Sequence, residues 1–131
     1  MVNQIEIIRS QLDGLDRLGA DAATKTAVNE LTKQLIDAEL NLVDLRQTGT
    51  GQDGVRFGAK LISKINYLAN GVSGGDFKPT DQHLAVEKVI AAQLKQVQSL
   101  VDGLRGRILG GFNDQLRSKN LPPIVVPAPR P

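Results

Sequence analysis

Residues 81–109 read DQHLAVEKVIAAQLKQVQSLVDGLRGRIL. Val86, Ile90, Leu94, Val97, Val101, Leu104 and Ile108 follow one another at steps of four and three, the spacing that puts side chains on one stripe of a helix. At about 1.5 Å per residue the stripe spans about 33 Å, too much apolar surface for one helix to keep dry by itself. Pro79 and Thr80 before it are a start signal, with Thr80 as the expected N-cap. Gly103 and Gly106 near its end either permit a close helix crossing or loosen the last turns.

The partners of that stripe lie on both sides of it. Val2, Ile5, Ile8, Leu12 and Leu15 predict a first helix, with Gly19 as its stop. Asp21 or Thr24 then caps a second helix carrying Val28, Leu31, Leu35, Ala38, Leu42 and Leu45. The short link between these two predicts an antiparallel hairpin. Phe57, Leu61, Ile65 and Leu68 predict a third, shorter helix over residues 58–69, ended by Asn70 and Gly71. Phe112 and Leu116 fit a short last helix, and the prolines from Pro122 to Pro131 forbid helix beyond it. The expected fold is therefore all-α: an up-and-down four-helix bundle over residues 1–120, with a short extra C-terminal helix and an extended proline-rich tail over 121–131.

Composition agrees with helix packing. The 131 residues include no Trp, three Phe and one Tyr, so the core must be aliphatic. There is no cysteine for a disulfide or thiolate site. A net charge of +2, spread along the chain, does not make a phosphate-binding surface, and nucleic acid is not an expected partner. No apolar run reaches the roughly 18 residues of a membrane span. Glu6, Arg9 and Asp13 interrupt any signal-peptide core at the start, so the chain is either cytoplasmic or part of something longer.

Chemistry is sparse. Gly49, Gly51 and Gly54 match GxGxxG, but a dinucleotide site needs a strand before that motif, and the residues before it are helical by period. His83 is the only histidine and has no Cys or His partner for catalysis or metal binding. Asp13, Asp16, Glu30, Asp37, Glu39, Asp44, Glu87 and Asp102 lie off the apolar stripes and read as solvated. No catalytic, cofactor or metal residue is expected, and no enzyme activity of this chain alone. Phe57 and Phe112 adjoin helices and are expected to close the ends of the bundle. Phe77, in a loop without periodicity, is the expected interdomain contact, together with Ile124 and Val126 of the tail.

KLISKINYLANGVSGGDFKPTDQ (60–82) and GGFNDQLRSKNLPPIVV (110–126) resemble the C-terminal helical region of bacterial proteins built around sortilin-like β-propellers, many of them glycosyl hydrolases. The propellers of that family carry aspartate-box repeats with Ser, Asp, Gly and Trp, which this chain lacks, so no catalytic residue carries over. The resemblance implies a noncatalytic accessory domain, preceded by a β-propeller in a longer chain that is periplasmic or secreted. The alternative is a stand-alone bundle acting in self-association or small-ligand binding.

Overall fold

A computed structural model of the chain describes residues 1–47, 52–75, 77–126 and 128. Among these the structure is all-helical, without strand. The helices are α1 (Val2–Arg17), α2 (Ala22–Leu42), the single turn α3 (Asp53–Arg56), α4 (Leu61–Ser73), α5 (Asp81–Arg107), a π-helical turn (Ile108–Phe112) and α6 (Asn113–Ser118). The chain forms two compact units, one of residues 1–38 and 99–131, the other of residues 39–98. The described residues of the tail, 121–126 and 128, fall in the first unit.

The first unit holds most of the core. Ile5, Ile8, Leu12 and Leu15 of α1 are buried, as are Val28, Leu31 and Leu35 of α2 and Val101 and Leu104 of α5. Each set repeats at three or four residues, so each helix turns one stripe inward. α1 ends where Gly19 takes a positive φ of 76°, a conformation that L side chains resist. Asp21 caps α2: its Oδ1 accepts a 2.8 Å bond from the Thr24 N–H. Lys119, just past α6, donates from Nζ to both Asp21 oxygens and to Thr24 Oγ1, fastening the two helix ends together.

Hydrogen bonds from Thr24 and Lys119 hold the Asp21 carboxyl well below the usual carboxylate range. A folded-state pKa depressed in this way gives stability that is present above the unfolded value of 3.8 and is lost as pH falls through the folded value. Asp21→Asn keeps the capping oxygen and removes the charge. The thermal midpoint of wild type should therefore exceed that of Asp21→Asn near neutrality, and the gap should close as pH drops below 3.8. A gap independent of pH would refute the charge's part in the cap.

The π turn follows from the spacing of the core. Leu104, Ile108, Phe112 and Leu116 are all buried and stand four residues apart. Four residues of α-helix overshoot a full turn by about 40°, so such a series would swing out of the core. One wider turn restores its direction, and Gly110 and Gly111, weak helix formers, sit in that turn. Among the described residues nothing lies within 4 Å of a Cβ built on Gly103 or Gly106, and the chain stays helical through Phe112.

α6 ends in a Schellman arrangement. The Leu121 N–H returns to the Leu116 carbonyl and the Asn120 N–H to the Arg117 carbonyl, with Asn120 at a φ of 55°. This turn sends residues 121–126 back as an extended strap.

In the second unit, α4 runs past Asn70 and Gly71, where a stop was expected, to Ser73. An Asn-Gly pair weakens a helix by about 1 kcal/mol without ending it. Gly74, whose Cβ would come within 3.1 Å of the Asn70 carbonyl oxygen, is the actual stop. α5 opens as expected at Thr80, whose Oγ1 accepts from the His83 N–H while His83 Nδ1 accepts from the Thr80 N–H, both at 3.3 Å. His83 thus does the work that Glu does in a capping box. The turn α3 was not expected; it lies in a glycine-rich segment without apolar period. Leu45 falls beyond the end of α2 and is exposed.

Candidate functional site

Among the described residues the acidic side chains form no group of three that could hold a metal ion. Two of them differ from the sequence reading. Glu39 is fully buried and Asp44 nearly so. Asp44 forms a two-toothed pair with Arg46, accepting from Nε at 2.9 Å and from Nη2 at 2.7 Å. That hydrogen bonding lowers the Asp44 pKa to about 2. Arg46 also lies 4.6 Å from the centre of the Phe57 ring, a cation over an aromatic face. Both arrangements are structural: the ion pair braces the segment after α2, and the Arg46–Phe57 contact ties that segment to the one before α4.

Gly49 and Gly51 of the GxGxxG match lie outside the described residues. The element that precedes the match is α2, a helix, and Gly54 falls within α3, so the strand that a dinucleotide fold requires is missing there. Among the described residues no helix is long and apolar enough to cross a membrane.

What the second unit does present is apolar surface. Within the second unit the α4–α5 hairpin buries few residues: Leu61 on α4, Ile90 and Val97 on α5. Leu94, expected at the centre of the main stripe, is half-buried. Val86, the first member of that stripe, is 47% exposed, and Val89 is 58% exposed. Between the helices runs an open groove of about 650 Å³, lined by Lys64 and Tyr67 from α4 and by Val86, Val89, Ile90 and Gln93 from α5. Tyr67 is 84% exposed although it flanks an apolar floor. Lys64 is the sole charged side chain of this lining, so the groove is apolar with one basic edge.

The three residues expected to meet a neighbouring domain are placed differently from one another. Phe77, in the connection between α4 and α5, is 89% exposed, its ring lying against Gly75. Ile124 is 3% exposed and hydrogen-bonded through its own backbone within the first unit, so it has no side-chain surface left for a neighbour. Val126 is half-buried. Phe112 is buried and Phe57 half-buried.

Sequence reasoning passed over Tyr67, Leu84 and Val89, yet a signal was present. From Leu84 to Ala92 the helix carries Leu84, Ala85, Val86, Val89, Ile90, Ala91 and Ala92, which is more apolar surface than one stripe accounts for. A helix apolar on two faces needs two partners. No protein-family model, curated protein or solved structure matches the chain.

Proposed function

We propose that the chain is a noncatalytic interaction domain that docks a neighbour through the α4–α5 hairpin. The observation that carries this reading is the set of exposed apolar side chains Tyr67, Val86 and Val89 lining a groove of about 650 Å³, with Phe77 exposed in the connection between the same two helices. Scattered exposed apolar residues need no explanation, but a contiguous set along a groove marks a place where another surface fits. The sequence resemblance supplies the neighbour: a sortilin-like β-propeller preceding this domain in a longer, exported parent chain. The up-and-down arrangement of the four long helices belongs to the same proposal.

Phe77→Ser and Val89→Glu test it, because both side chains are exposed and neither supports the core. In the isolated chain each should change stability by no more than about 0.5 kcal/mol. In a parent carrying the propeller, each should speed proteolysis between the domains. Equal destabilisation of isolated chain and parent would show that these side chains are structural and would overturn the docking role. A concentration-dependent dimer of the isolated chain, abolished by Val89→Glu, would transfer the surface to self-association.

A further inference from the structure

The first unit contains a feature independent of the docking hairpin. Residues 124 and 125 of the strap are held by two side-chain amides, each of which pairs with both backbone groups of one residue. Asn113 Nδ2 donates to the Ile124 carbonyl at 2.9 Å, and Asn113 Oδ1 accepts from the Ile124 N–H at 2.7 Å. Gln11 Nε2 donates to the Val125 carbonyl at 2.9 Å, and Gln11 Oε1 accepts from the Val125 N–H at 2.8 Å. Further along, Gln4 Nε2 donates to the Ala128 carbonyl at 2.9 Å. In an extended chain the N–H and C=O of successive residues point to opposite sides. The amide of α6 therefore takes one side of the strap and the amide of α1 the other, each in place of the strand that would flank it in a sheet.

We propose that this cleft between α1 and α6 is a binding site for an extended peptide bearing one aliphatic side chain, which the chain's own tail fills in cis. The chemistry defines the ligand class. Amides that read only N–H and C=O impose an extended backbone and are indifferent to side chains. Selectivity comes from the Ile124 position, where the side chain is buried, whereas Val125 points outward and is exposed. Proline is excluded at both of these positions, since each must donate an N–H. It is welcome just before them, where Pro122 and Pro123 stiffen the approach and reduce the entropy lost on binding. The ligand is thus a Pro-Pro-aliphatic-x segment with x other than proline.

A tethered tail competes at an effective concentration on the order of millimolar, so a peptide in trans is expected to bind wild type poorly. Ile124→Asp in the full chain should empty the cleft. The probe is a labelled peptide of residues 120–128, NLPPIVVPA, followed by fluorescence anisotropy. The Ile124→Asp chain should bind it at least about tenfold more tightly than wild type does. Adding Asn113→Ala, which removes the buried inner amide, should abolish that gain, and a peptide with Asp in place of the isoleucine should not bind. If Ile124→Asp does not fold, Val125→Pro removes only the outer N–H of the tail and should open the cleft in the same sense. No binding by either folded variant would overturn the proposal, as would binding that survives Asn113→Ala.

Discussion

Leu104→Ala is expected to destabilise the protein by about 2 to 5 kcal/mol, and Leu94→Ala by roughly 1 to 2 kcal/mol. Both leucines belong to the same helical stripe, and by spacing alone Leu94 is the more central. Burial reverses the order. Leu104 is fully buried in the first unit, where α1, α2, α5 and α6 all contribute core residues, so its removal leaves a cavity as well as losing transfer energy. Leu94 is half-buried in the second unit, where truncation mostly exposes to water what water already reaches. Chemical unfolding of the two variants measures the difference. Equal losses would mean that the second unit is as tightly packed as the first.

That contrast shows what periodicity reveals. The stripes of α1 and α2, the caps at Asp21 and Thr80 and the stop at Gly19 were legible, because each depends on residues within one or two helical turns of one another. A stripe states that a helix has an apolar side, not that anything covers it. Val86 and Ile90 are indistinguishable in the pattern, yet one is about half exposed and the other buried. Glu39 was misread for the same reason: a carboxylate next to a stripe is solvated only if the neighbouring elements leave it room, and they are distant in sequence.

The missed elements have a shared cause as well. The π turn is invisible to a rule of three and four, although the run of four-residue steps from Leu104 to Leu116 contained the hint. The extension of α4 through Gly71 shows that a weak residue is a cost, offset here by the rest of the helix, and not a boundary. As to the candidate site, exposure of Phe77 followed from a loop position without period. Ile124 went the other way, because nothing local announces that an amide 11 residues earlier will pair with its backbone.

Asn113→Ala is the second change expected to have a large effect, about 2 to 4 kcal/mol, in spite of removing no apolar surface of consequence. Asn113 is buried, and so is Ile124. Truncating the amide leaves the Ile124 N–H and carbonyl without a partner in a place that water does not reach, and an unmet buried group costs about 1 to 3 kcal/mol. Gln11→Ala releases the Val125 groups at the surface, where water replaces the lost bonds, and should cost well under 1 kcal/mol, roughly the scale of a surface change. Asn113→Asp separates the two halves of the inner pair. The carboxylate still accepts from the Ile124 N–H but sets a negative oxygen against the Ile124 carbonyl. Protonation turns that oxygen into a donor, and burial favours the neutral acid in the folded state. The folded variant then binds its proton more tightly than the unfolded chain, so its stability relative to wild type should recover as pH falls from 7 towards about 4. Urea unfolding of the three variants across that range tests the arrangement. An Asn113→Asp deficit that stays constant with pH would mean that the carbonyl of Ile124 does not depend on Asn113.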